Sequence, residues 1–415
     1  MKILILGSGI AGICSAYVLG SRGHDVTVID EESGAAMVTS FANGGQLSYS
    51  HCLPWANPSV PLKLPKWLLH EDSPLVFRFS ADPHMILWGL KFLWNCRRSL
   101  SNANAETLFR IGAYSKLKLA EIRNQTNLEF DYAGRGILHV FSHDLDYNNA
   151  IRQHAHEKAL GSEDKVVTRE ECFTIEPALR DIAKPFVGGI YSPTDESGDV
   201  HVFCKMLADY CAQHFKTEFV YNTSVLRIKE EGGNVTSVAT TNGEYTADAY
   251  IAALGSYTPR HMKPLGISIP VYPMKGYSIT VPAWEGAPEV SITDDEKKIV
   301  FSRLGDRMRA AGTAEFAGYN HELRESRIEP IVRCMKELFP AANTETISKW
   351  ACLRPQTPDG PPIIGRTKVN NLFLHTGHGT LGWTQAAGTA HLLADIMEKR
   401  PTEISLKGLE LHRYG

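Results

Sequence analysis

Lys2-Ile3-Leu4-Ile5-Leu6-Gly7-Ser8-Gly9-Ile10-Ala11-Gly12, with Asp25-Val26-Thr27-Val28-Ile29-Asp30 close behind it, decides the fold. The opening residues form an apolar run of strand length, and the glycines spell Gly-x-Gly-x-x-Gly. Residues 13–21 then read as a helix with Ala and Leu on its buried side, and 25–30 as a second short strand ending in an acid. Gly7 permits the tight turn, Gly9 lets the backbone approach a pyrophosphate, and Gly12 allows the helix to lie close on the strand. Ser8, Ile10 and Ala11 complete a turn whose helix start offers free N–H groups and a positive dipole end to phosphates. Asp30, followed by Glu31, is placed to accept hydrogen bonds from an adenosine ribose. Strand, turn, helix, strand and acid in this order read as a dinucleotide-binding unit; the turn alone does not separate FAD from NAD.

Working outward, 415 residues suffice for two domains with substantial cores, and 43% apolar with 21% charged residues is ordinary for a globular protein. A net charge of −3 implies no large basic surface and argues against nucleic acid as a partner. Cysteines 14, 52, 96, 172, 204, 211, 334 and 352 are scattered without a C-x-x-C pair, so neither a disulfide framework nor a metal site is expected, and a reduced, cytoplasmic setting is. The apolar start is consumed by the nucleotide-binding strand and is not read as an export signal. No stretch reaches the roughly twenty apolar residues that span a bilayer. The chain is expected to be soluble or, at most, to lie on a membrane surface.

Thr39-Ser40-Phe41-Ala42-Asn43-Gly44-Gly45-Gln46 combines glycines with amides. A backbone lying against a flat polar ligand has this composition, and so does an ordinary surface loop. Pro54, Pro58, Pro61 and Pro65 mark an extended connector. Residues 85–95 are apolar nearly all round, with Trp67, Leu68, Leu69, Lys63 and Lys66 upstream and Arg97-Arg98 downstream. A membrane-surface anchor and a helix buried in the core both fit, and the core reading is preferred. Helices are expected over 106–129, 144–160, 200–215, 328–338 and 384–398, and strands over 217–228 and 247–254. The 247–254 strand ends at Gly255, where a doubly wound sheet would face its ligand crevice. Residues 271–318 switch to short alternating segments with a hairpin turn at Gly305-Asp306, the pattern of an antiparallel sheet. Near the end, the strand 371–375 runs into Gly377-His378-Gly379-Thr380-Leu381-Gly382 and a helix, a second strand–glycine–helix junction. Both ends of the chain are therefore expected to close one α/β fold around an inserted antiparallel domain.

Together these stretches resemble the D-amino acid oxidase-like flavoproteins. The resemblance rests on Gly7 to Gly12 with Asp30, on Thr39-Ser40-x-Ala42-Asn43-x-Gly45-Gln46, and on Val271-Tyr272-Pro273-x-Lys275-Gly276-Tyr277-Ser278. It continues through Leu353-Arg354-Pro355-x-Thr357-Pro358-Asp359-Gly360 and Gly377-His378-Gly379-x-Leu381-Gly382-Trp383. It implies an α/β fold with a discontinuous Rossmann-like FAD-binding domain (1–50, 160–260 and 340–415) and an α+β antiparallel-sheet substrate domain (51–159 and 261–339). Asn43, Gly44, Gly45 and Gln46 would flank the flavin ring, Val225 would touch the adenine side, and Gly377, His378, Gly379, Thr380 and Leu381 would approach the pyrimidine end.

The reaction that the resemblance implies is oxidative deamination of a D-amino acid. The α-hydrogen leaves as hydride to flavin N5, the imino acid is hydrolysed, and electrons pass to a quinone or other respiratory acceptor. Proline, D-hydroxyproline, glycine or sarcosine as substrate, and a flavin-bearing scaffold subunit without catalysis, are the alternatives. No side-chain base is required. Arg354 is the candidate for the substrate carboxylate, because its planar fork binds two oxygens. Tyr277 could donate to the same carboxylate, His378 could face the flavin, and Arg303, Arg307 or Arg309 could replace Arg354. Cys352 matches in spacing the cysteine that tethers flavin covalently in sarcosine-oxidase-like relatives.

Overall fold

The computed structural model describes every residue except 63, 65–72, 79–81 and 183, so Lys63, Pro65, Lys66, Trp67, Leu68 and Leu69 lie outside the described residues. Lys2–Leu6 runs through the middle of a six-stranded sheet. Its order is Ile363–Arg366, Leu372–Thr376, Ala249–Ala252, Lys2–Leu6, Asp25–Ile29 and Glu218–Val220. All pairs are parallel except the antiparallel edge made by Ile363–Arg366. Both ends of the chain thus meet in one sheet.

Side chains alternate across a strand, so Ile3 and Ile5 face one side and Leu4 and Leu6 the other. On the first side they pack with helices Ile10–Ser21, Val200–Phe215 and Gly382–Glu398 through Ala16, Phe203, Leu207 and Leu393. On the other they meet Ile228 and Val238 of a three-stranded antiparallel layer, Val225–Glu231, Asn234–Thr240 and Gly243–Tyr245. A strand buried on both faces reads as an unbroken apolar run, which is why this one was visible.

The second, larger sheet runs Ser348–Gln356, Tyr272–Pro282, Arg307–Phe316, Ile299–Leu304, Ser291–Asp294, Ile137–Phe141, Gly188–Ser192 and Lys165–Thr168. It is antiparallel except where Ser291–Asp294 pairs with Ile137–Phe141 and Arg307–Phe316 with Leu75–Phe77. The turn at Gly305 has φ +63°, as expected of a glycine hairpin. Helix Glu325–Leu338 covers this sheet with Ile328, Ile331 and Met335. Lys165–Thr168, Gly188–Ser192 and Ser348–Gln356 belong to this sheet although the sequence placed them within the cofactor-domain ranges.

Two readings need correction. Residues 217–228 are not one strand: Glu218–Val220 ends the parallel sheet and Val225–Glu231 starts the antiparallel layer. The break falls at Asn222, left-handed at φ 53°, where the N–H groups of Asn222 and Thr223 donate to the carbonyls of Glu32 and Asp30. Helix Pro83–Asn95 is not wrapped by the core. Trp88 and Phe92 are buried, with the Trp88 indole donating to the Gln356 carbonyl at 2.9 Å, but Ile86, Leu87, Leu90, Leu93 and Trp94 are 42% to 63% exposed.

Candidate active site

The Gly-x-Gly-x-x-Gly turn closes as its chemistry requires. Gly7 adopts φ +103°, and a Cβ there would lie 2.6 Å from the Ala253 carbonyl oxygen. A Cβ on Gly12 would stand 1.9 Å from the Gly7 oxygen, so only glycine lets the helix seat on the strand. Gly9, by contrast, meets nothing nearer than 3.9 Å and opens on a cavity of about 400 Å³. The helix beginning at Ile10 has no side-chain cap and no acid in its first turn. The Ile10 N–H is taken by the Ser40 hydroxyl, and the remaining first-turn N–H groups and the positive end of the helix dipole are left for an anion. Asp30 accepts from the Ser8 N–H at 2.5 Å and its hydroxyl at 2.7 Å with Oδ2, and from the Glu32 N–H at 2.9 Å with Oδ1.

Of the residues expected at the cofactor, Gly7, Gly9, Ile10, Ala11, Asp30, Glu31, Asn43, Val225, Gly255, His378, Gly379 and Thr380 line this cavity. Ser8, Gly12, Gly44, Gly45, Gln46, Gly377 and Leu381 do not. Ser8 is buried against Asp30, and Gly12 against Gly7. Gly44 and Gly45 turn under Val300 and Ser302 of the larger sheet, while the Gln46 amide donates to Ser291 and Thr293. Gly377 packs on Thr357, and Leu381 on the cluster of Cys52 and Leu108. Asn43 holds the bend itself by accepting from the Gly45 N–H. Ser40, Tyr257, Arg260 and His375 also line the cavity and were not singled out from the sequence. Ser40, inside the quoted Thr39–Gln46 run, accepts from the Ile10 N–H at 3.3 Å. Arg260 has no sequence signal; its guanidinium stacks 3.5 Å over the Tyr319 ring.

At the other sheet, Gly276 and Arg354 lie on adjacent strands and both line the cavity. A Cβ on Gly276 would fall 2.4 Å from the Arg354 Cζ, so the guanidinium lies flat on a glycine backbone. Among the described residues Arg354 makes no hydrogen bond and no ion pair. Its five donors are free to meet an anion. The other arginines are committed. Arg303 bonds Glu289, Arg307 bonds Asp131 and Asp199, and Arg309 bonds Thr280 and the Asn43 carbonyl. Burial pushes the Arg309 guanidinium down to about 10, a sign of how dry its position is. Gly276→Ala should displace the Arg354 fork without unfolding the chain. We expect KM for an amino acid substrate to rise between tenfold and a hundredfold, roughly, in steady-state kinetics, with flavin content unchanged.

Tyr277 is not free to greet a carboxylate: its hydroxyl donates to Glu315 Oε1 at 2.7 Å. Burial and the Glu315 charge together push the phenol well above its ordinary value. Glu315 is held in turn by Lys275 at 2.7 Å and Arg78 at 3.3 Å. His378 lines the cavity and is buried; its Nε2 meets the Thr389 hydroxyl at 3.0 Å, the same hydroxyl that meets His375 Nε2 at 2.8 Å. Burial pushes the His378 imidazole down to about 3, so it is neutral at physiological pH and offers no positive charge.

Cys352 lines the cavity beside Arg354, but burial pushes its thiol up, with only a partial offset from that arginine. A protonated thiol is a poor nucleophile. Acid precipitation of the purified protein should therefore release all of its flavin to the supernatant; yellow colour in the washed pellet would show a covalent bond.

The cradle a Cβ would fill, the uncapped helix and the acid on the second strand fit FAD. The family model described as FAD dependent oxidoreductase matches residues 2–396. A D-amino acid dehydrogenase of Paramagnetospirillum magneticum is 45% identical over 100% of this chain and 99% of its own length. One of Allorhizobium ampelinum is 42% identical over 100% and 99%. Among solved structures, glycine oxidase from Bacillus cereus superposes with a TM-score of 0.75 at 20% identity, covering 99% of both chains. L-proline dehydrogenase from P. horikoshii does so at 0.76 and 18%, covering 100% of this chain and 97% of its own. The chain belongs to the FAD-dependent oxidoreductase family of the D-amino acid oxidase type.

Proposed function

We propose that the protein oxidises D-amino acids to 2-oxo acids and ammonia. The observation that carries this is the full-length likeness, at 42% to 45% identity, to chains named D-amino acid dehydrogenase. FAD, when bound, supplies the acceptor for the substrate's α-hydrogen as hydride. The chain's own residues bind and orient. The Gly9 and Ala11 N–H groups, unlike those of Gly7, Ser8 and Ile10, are left for the diphosphate, and Asp30 offers its carboxylate to the ribose. Arg354 takes the substrate carboxylate in a two-point clamp, which fixes the direction of the Cα–H bond. Lys275 and Glu315 hold Tyr277, and through it the wall beside Gly276. His378, neutral and tied to Thr389, contributes shape rather than charge. Turnover of D-alanine with an artificial dye should yield pyruvate and ammonia, and L-alanine should yield neither; equal rates on both enantiomers would overturn the D-specific reading.

The electrons leave to a respiratory acceptor at a lipid surface. No described helix is long and apolar enough to cross a membrane. Support for surface contact comes from helix Pro83–Asn95, whose exposed Ile86, Leu87, Leu90, Leu93 and Trp94 lie beside Lys91, Arg97 and Arg98. Apolar side chains flanked by bases suit the headgroup region of an anionic bilayer. Flotation with vesicles containing phosphatidylglycerol should carry the protein upward. Leu90→Glu with Trp94→Glu should abolish flotation while dye-linked activity persists. Wild-type protein that stays at the bottom of the gradient would contradict the assignment.

A further inference from the structure

Away from the flavin cavity, four chain segments bring imidazole and carboxylate groups to one buried place. His51 follows strand Gln46–Leu47, His139 lies on Ile137–Phe141, Glu157 on helix Asp144–Ala159, and Asp164 just before Lys165–Thr168. One ligand atom each from His51, Glu157 and Asp164 lies within 4.8 Å of the others. The Asp164 carboxylate is 5% exposed and lies against the Ser162 and Ser192 hydroxyls, yet among the described residues neither of its oxygens has a hydrogen-bond partner of good geometry. His139 is 6% exposed, and neither ring nitrogen has one; its ring centre lies 4.6 Å from that of His51.

Buried polar groups are normally paired, and a buried carboxylate and a buried imidazole without a bond of good geometry among the described residues need an explanation. The His51 Nδ1 to Glu157 Oε2 separation of 3.7 Å is too long for a hydrogen bond. It is close to the ~3.3 Å edge of a tetrahedron of ligands around zinc.

We propose that His51, Glu157 and Asp164 bind a divalent first-row metal ion such as zinc, with solvent completing its coordination. One imidazole nitrogen and two carboxylate oxygens suit zinc, and imidazole disfavours calcium or magnesium. The ion would fasten the segment leaving the Asn43–Gln46 bend to the outer strands of the larger sheet. Thr293, which accepts from Gln46, sits opposite His139 in strand register, so the metal lies close to the support of that bend. Sequence spacing could not reveal it, because the ligands are drawn from positions 51, 157 and 164 with no motif among them.

The test uses FAD-loaded protein, stripped with a chelator, supplied with zinc and dialysed. Elemental analysis should find about one zinc per chain. Glu157→Gln and Asp164→Asn should each lower retention at least tenfold while the flavin absorbance, which reports folding, is kept. Should one variant lose its flavin, the other decides. Cobalt(II) in the wild-type protein should give the intense visible bands of a four-coordinate ion, beyond the flavin absorption. Wild-type protein that keeps no zinc, variants that keep as much as wild type, or a weak cobalt spectrum like that of the hydrated ion would each overturn the proposal.

Discussion

Arg354→Met should lower kcat/KM for D-alanine by about a thousandfold, some 4 kcal/mol of lost transition-state binding, while FAD stays bound. The size follows from what the side chain does. Charge-assisted hydrogen bonds contribute about 1.5–3 kcal/mol each, and a two-point clamp makes two. The variant also leaves the substrate carboxylate desolvated without a partner. Arg354 has no other partner among the described residues, so no internal bond is sacrificed and stability should change little. Arg354→Lys should recover only part of the loss, because an ammonium keeps the charge but not the planar fork. Anaerobic stopped-flow reduction of the flavin measures both variants. An unchanged rate for Arg354→Met would move carboxylate capture elsewhere, with Arg260 the next arginine on the cavity wall.

Lys275→Met should destabilise the protein by about 3 kcal/mol, because it leaves the buried Glu315 charge with only the half-buried Arg78 as its ion partner among the described residues. Lys275 and Glu315 are both fully buried, 2.7 Å apart. Asn320 and the Glu322 carbonyl take the remaining Lys275 donors. Burial alone would raise the Glu315 carboxyl, but Lys275, Tyr277 and Arg78 outweigh it and hold the group below its usual value. Its contribution is therefore present above the ordinary carboxylate pKa and lost as pH falls through the depressed one. The double variant Lys275→Met with Glu315→Leu should be more stable than Lys275→Met alone, since it removes the under-compensated buried charge. Thermal unfolding at neutral pH compares the three proteins. A single variant as stable as wild type would show that the pair does not hold the wall beneath Tyr277.

What the sequence disclosed, and what it hid, follows from the range of the interactions. The Gly7 to Gly12 turn and Asp30 were legible because their roles are local, Gly7 and Gly12 each answering to a neighbouring carbonyl a few residues away or across one strand. Helix Val200–Phe215 was legible because Asp199 caps it, accepting from the His201 and Val202 N–H groups. The division of 217–228 was not, since it depends on carbonyls of Asp30 and Glu32. Helix Pro83–Asn95 misled for another reason: an apolar run of this kind looks the same whether protein or something else covers it. Motif likeness placed Arg354 and Tyr277 together, but only three dimensions show Tyr277 spending its hydroxyl on Glu315 and Arg354 without a partner among the described residues.

The central claim is that both ends of the polypeptide enclose one FAD, and that an amine held by Arg354 reduces it. The visible spectrum of the purified protein under anaerobic conditions, before and after addition of D-alanine, tests it most directly. The account predicts one flavin per chain, bleached by D-alanine and left oxidised by L-alanine. Protein that is colourless and takes up no added FAD, or bound flavin that D-amino acids fail to bleach, would contradict it.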